Sequence, residues 1–122
     1  MRFTTITLLC SLTMAFASDP KPVPAKGAPK VTFVELGSVN CIPCKAMQEV
    51  MGKLEKKYPK DLRILFYDVW SDAGKPAGER YGIRSIPTQV FLDSAGVEFF
   101  RHEGYYPLED IEKVLQLHKV SR

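Results

Sequence analysis

The chain has 122 residues, 45% hydrophobic and 11% aromatic, which is enough for one hydrophobic core and too little for two full domains. Its formal charge of +3 comes from 17 Lys and Arg against 14 Asp and Glu, interleaved along the sequence rather than gathered into a basic block. That distribution describes a mixed solvated surface and argues against nucleic-acid binding or adsorption to an anionic membrane.

Met1 and Arg2 precede an apolar run from Phe3 to Phe16, and Ala15-Phe16-Ala17 matches the small-residue cleavage pattern of a secretory signal. Residues 1–17 are therefore expected to be a signal peptide, with the mature chain starting near Ser18. The run is shorter than the roughly 20 residues a spanning helix needs, so no stable membrane insertion is expected after cleavage. An uncleaved anchor is the alternative; lipidation at Cys10 is disfavoured, since Cys10 lies inside the apolar run behind bulky Leu9. Residues 18–30, which include the proline-rich DPKPVPAKGAPK, read as an extended solvated linker. The folded domain is expected over residues 31–120.

Val31 to Leu36 is β-branched and apolar, as a buried central strand requires. From Cys44, the positions Ala46, Met47, Val50, Met51, Leu54 and Tyr58 recur at spacings of three and four, which predicts an amphipathic helix ending before Pro59. Leu62 to Val69 reads as a second strand, Trp70 to Gly78 as a loop, and Pro76 to Tyr81 as a short helical piece. Thr88 to Leu92 and Val97 to His102 form an antiparallel hairpin around Asp93-Ser94-Ala95-Gly96. A final helix from Pro107 to His118 carries Leu108, Ile111, Val114, Leu115 and His118 on one stripe. The order is that of a single α/β domain with a mixed sheet.

Loss of Cys10 with the signal would leave Cys41 and Cys44, two residues apart in Cys41-Ile42-Pro43-Cys44. A bridge between them closes almost no loop, so its value is chemical rather than stabilising. Half of a zinc site is one possibility, but His102 and His118 are the remaining soft ligands and match no finger spacing. The other is redox chemistry. Cys41 follows a strand at the start of a helix, on what is expected to be the exposed side of the turn. Unpaired N–H groups and the helix dipole favour a thiolate there, lowering a thiol pKa from about 8.5 towards 7 or below. Cys41 is thus expected to attack and Cys44 to resolve, while Pro43 sits where its missing N–H costs nothing.

The segment Glu35 to Lys45, ELGSVNCIPCK, followed by Tyr81-Gly82-Ile83-Arg84-Ser85-Ile86-Pro87-Thr88, resembles the thioredoxin family over essentially the whole mature domain. The resemblance implies a thioredoxin-like domain with a central sheet of about four strands and a minimal N-terminal extension. It further implies a cis peptide bond before Pro87 and a substrate-docking edge at Ile86, Pro87 and Thr88, with Gly104 letting a substrate backbone approach. Glu35 falls where such proteins carry a buried acid, and its implied role is proton acceptor for Cys44; an edge-exposed glutamate is the alternative. The chain departs from the family pattern at Asn40, which stands for a tryptophan, and at Ile42, which stands for a glycine. Phe66 or Asp68 occupies the place of a lysine. Trp70, Tyr105 and Tyr106 could border the groove or simply pack.

The expected function is an extracytoplasmic, periplasmic-type reductase of disulfides in exported proteins. It needs no cofactor beyond the Cys41–Cys44 disulfide and no metal. A membrane thiol-electron transporter would re-reduce it, and it would act as a monomer. An oxidase or isomerase of the same fold, or a non-catalytic binding module, are the alternatives.

Overall fold

The computed structural model describes residues 26–122, so the expected signal peptide and most of the expected linker lie outside the described residues. Strand β1 (Val31–Gly37) is buried at every position except Thr32. A strand so covered needs neighbours on both edges to pair its N–H and C=O groups. It has them: β2 (Leu62–Asp68) runs parallel on one side and β3 (Thr88–Asp93) antiparallel on the other. Strand β4 (Glu98–Glu103) pairs antiparallel with β3 and completes a four-stranded sheet in the order β2-β1-β3-β4. The turn at residues 94–97 is one position later than expected, because Asp93 still pairs with Val31 and accepts from the backbone N–H groups of Ala95 and Val97.

Among the described residues three helices cover the sheet: α1 (Ile42–Lys57), α2 (Lys75–Tyr81) and α3 (Leu108–Leu117). Alternation along β1 decides which helix meets which face. Val31 and Phe33 pack with Met47, Val50, Met51 and Leu54 of α1 and with Ile111, Val114 and Leu115 of α3. Val34 and Leu36 point the other way and pack with Ala77 of α2 and with Val90. Helix α1 begins at Ile42, two residues before the expected start, and Ala46, placed on the apolar stripe by spacing, is exposed. His118 caps α3 rather than lying within it, and stacks on Phe99 with ring centroids 3.6 Å apart. The end of α1 is tied to α3 by an ion pair between Lys57 and Glu112, to which Tyr58 Oη also donates at 2.9 Å.

Register lays two rows of side chains across the α1 face. Phe33, Phe91 and Phe100 form one, opposite one another across β1, β3 and β4. One pleat further on, the next row is Glu35, Gln89 and His102. Fully buried Phe91 joins the aromatic row, edge-on to Phe33 at 5.1 Å and to Phe100 at 5.5 Å. Replacing Phe91 by Ala removes a ring that its four ring neighbours, Phe33, Phe99, Phe100 and Tyr106, cannot all collapse onto. The expected loss is about 3–5 kcal/mol, read as a lowered urea midpoint of the oxidised protein.

Candidate active site

At the C-terminal end of β1 the chain leaves the sheet through Ser38, and Cys41 becomes the N-cap of α1. Its backbone N–H donates to Ser38 O at 3.2 Å and its carbonyl accepts from Lys45 N–H at 3.0 Å, which fixes the turn. Pro43 stands in the first turn of α1, where an N–H would find no partner. No acidic side chain lies in that first turn, so the partial positive charge of the helix N-terminus faces the sulfur pair without a competing anion. Cys41 and Cys44 form a disulfide with Cα atoms 5.1 Å apart.

Cys44 is fully buried. Cys41 differs from expectation: only 8% of its surface is exposed, while its neighbour Ile42 is 81% exposed. The turn presents Ile42 and Pro43 to solvent and leaves Cys41 a narrow outlet. Beneath the pair lies Gly37. A Cβ there would come within 3.2 Å of Cys44 Sγ and 3.5 Å of the Phe66 ring, so the bare backbone of Gly37 is the seat on which Cys44 rests.

Glu35 precedes Gly37 by one pleat on the same face and is fully buried; the edge-exposed alternative does not hold. Burial pushes its carboxyl up to about 8, against the opposing effect of a hydrogen bond from Gln89. Gln89 Nε2 donates to Glu35 Oε1 at 3.3 Å, and Oε2 has no hydrogen-bond partner among the described residues. The Gln89 oxygen in turn lies 3.0 Å from His102 Nδ1. Gln89 was not identified from sequence. Its signal was faint but present: a lone amide in the otherwise apolar run Val90-Phe91-Leu92 of a central strand.

The peptide bond between Ile86 and Pro87 is cis. Thr88 Oγ1 donates to Ser85 O at 2.7 Å, and Gly104 N–H donates to Pro87 O at 2.7 Å, so β4 braces this corner. Gly104 has φ +90 with open space where a Cβ would be; the backbone conformation, rather than crowding, is what calls for glycine. Trp70 and Tyr105 are exposed, at 63% and 48%, whereas Tyr106 is buried and stacks on His102 at 4.0 Å. Among the described residues no group of three His, Cys, Asp or Glu side chains could hold a metal ion, and no helix is long and apolar enough to cross a membrane.

A family model described as a thioredoxin-like domain matches residues 16–119. The chain is similar to the thioredoxin of Bacillus subtilis, 32% identical over 79 residues that cover 64% of this chain and 72% of that protein. It is also similar to a thiol:disulfide interchange protein TxlA homolog of Synechocystis, 29% identical over 67% of this chain and 46% of that protein. Across most of the curated relatives it matches, the chain spans about half of their length. In structure it is similar to a malaria parasite thioredoxin-2, with a TM-score of 0.67 at 20% identity over 73% of this chain and 84% of that one, a likeness of fold.

The raised Glu35 carboxyl makes stability depend on pH with a definite sign. Its folded value, about 8, lies above the ordinary 4.5, so its contribution is complete below pH 4.5 and is lost as pH rises through 8. Glu35→Gln is expected to flatten that slope and to raise stability above pH 8 by about 3–5 kcal/mol relative to wild type. Urea unfolding of both oxidised proteins at pH 5 and pH 9 measures it, and parallel slopes would contradict the burial of a titrating carboxyl.

Proposed function

The chain belongs to the thioredoxin-like family, and on that premise we propose that it is an exported thiol-disulfide oxidoreductase working in the reducing direction. The observation that carries this reading is the Cys41–Cys44 disulfide at the N-cap of α1, with Cys44 seated on Gly37, one pleat along β1 from the buried, titratable Glu35. In the reduced protein the Cys41 thiolate attacks one sulfur of a substrate disulfide, forming a mixed disulfide and expelling the other sulfur as a thiolate. Glu35, in its ionised form, accepts the proton of Cys44, and the Cys44 thiolate attacks Cys41 Sγ. The second substrate thiolate leaves, the protein disulfide forms, and the substrate has gained two electrons and, from solvent, two protons.

The corner at Ile86, Pro87 and Thr88, with Gly104 behind it, is the edge along which an extended substrate strand docks. Ile42, beside the cysteines, and Tyr105, next to Gly104, are exposed apolar side chains available to such a strand. Pro43 and the Ile86-Pro87 pair favour reduction over oxidation, by likeness to thioredoxins. Residues 1–17 serve as the export signal and residues 18–30 as a linker, so disulfides of exported proteins are the substrates. Electrons then come from a membrane protein that carries thiol reducing equivalents across the bilayer.

Insulin reduction with dithiothreitol tests the dithiol step. Cys41→Ser is expected to lose at least about a hundredfold in rate, and Cys44→Ser to accumulate a stable mixed disulfide. Unchanged activity in both variants would leave a binding module whose cysteines are incidental. Equilibration with glutathione tests the direction: a potential near about −270 mV supports a reductase, and one near about −120 mV makes it an oxidase.

A further inference from the structure

We propose that Gln89 and His102 form a positioning relay that fixes the orientation of the Glu35 carboxyl, leaving one of its oxygens bonded and the other open to exchange a proton with Cys44. This rests on the proton-acceptor role of Glu35 proposed above and adds two residues to it.

The relay follows from register. Glu35 lies opposite Gln89, and Gln89 opposite His102, in one row across three strands. A glutamine amide has nearly the same shape in either orientation, so the group facing one end decides which end faces the other. His102 Nδ1, 3.0 Å from the amide oxygen, acts as the N–H donor and turns the NH2 group towards Glu35 Oε1 at 3.3 Å. The opposite orientation would set the amide NH2 against the His102 N–H and, once Glu35 ionises, the amide oxygen against the carboxylate. His102 is itself held flat against Tyr106, their planes 10° apart, and Tyr106 N–H is anchored on Met47 Sδ at 3.3 Å. With Oε1 occupied, Oε2 is the oxygen without a partner among the described residues.

The groups around this row are few. Cys44 of α1 lies over Gly37, and the Phe66 position of β2 stands opposite Glu35. His102 and Tyr106 close the far end of the row. Asp68, at the end of β2, accepts from the backbone N–H groups of Val39 and Trp70 and so is turned to the loop. The Gln89 hydrogen bond is therefore the contact that favours the ionised form of Glu35 against desolvation.

The test follows the Glu35 side-chain carboxyl carbon by NMR through a pH titration of the oxidised full chain, with a wild-type midpoint expected near 8. Gln89→Met, which keeps bulk and removes the donor, is expected to move the midpoint up by about one pH unit. That leaves roughly tenfold less carboxylate at pH 7, and disulfide reduction slows by a similar factor at pH 7 but not near pH 10. His102→Phe keeps the stack on Tyr106 and lets the amide turn, with an expected shift of about threefold in the same direction. His102→Asn, whose Nδ2 can donate from the place of Nδ1, restores the wild-type midpoint. A wild-type midpoint in His102→Phe, or in Gln89→Met, overturns the relay, as does failure of His102→Asn to restore it. Because the titration requires no turnover, a failed relay is told apart from a protein that does not reduce insulin.

Discussion

The site depends on one constraint: β1 is paired on both edges and covered on both faces, and yet it carries a carboxyl. A group in such a place cannot reach bulk water, so its ionised form is disfavoured and any relief must come from neighbouring strands. Two residues later the same face offers Gly37, whose missing side chain is the space Cys44 fills. A single strand thus sets both the depth of the acid and the seat of the buried sulfur. Moving its register by one residue would turn Glu35 to the α2 face and put Leu36 under the disulfide.

Helix α1 supplies what the strand cannot. Its N-terminus directs unpaired N–H groups at the sulfur pair, and its apolar stripe, from Met47 to Leu54, presses that end onto the sheet. The anchoring reaches further through the Lys57, Tyr58 and Glu112 contacts to α3. Most of α1 is therefore scaffold. Only its first turn and Cys44 belong to the chemistry, and they remain in place because the remaining turns are buried on one side.

Much of this was legible in the sequence, for reasons that are local. Spacing of apolar positions marked α1 and α3, turn residues marked the β3–β4 hairpin, and the cysteine motif marked the strand-to-helix junction. Alternation along β1 could not be phased from sequence alone, so the facing of Glu35 stayed open until Phe33 and Gly37 were seen to share its face. The burial of Cys41 was missed because the wall around it comes from elements distant in sequence. Gln89 and His102 escaped for the same reason: Gln89 is 54 residues from Glu35, and only strand pairing brings the three side chains into one row. In the sequence His102 reads only as a metal ligand without a finger spacing, and nothing in its position along the chain marks it as bonded to the Gln89 amide on the neighbouring strand.

The departures from the family pattern become intelligible when Glu35 is considered together with its partners. At the place of the lysine stands Phe66, opposite Glu35, or Asp68, which binds the loop, and neither can draw a proton off a buried acid. A cation there would favour the carboxylate strongly, whereas a neutral amide favours it only modestly. The carboxyl accordingly stays near 8, inside the range where thiols titrate, which suits the proton exchange with Cys44 proposed above. The same value keeps Glu35 largely protonated at neutral pH. A buried carboxylate beside the sulfur pair would repel the Cys41 thiolate and raise its pKa, opposing the helix N-terminus. In the mechanism proposed above, the minor ionised form of Glu35 takes the Cys44 proton, so the acid is uncharged for most of the cycle and seldom opposes the Cys41 thiolate.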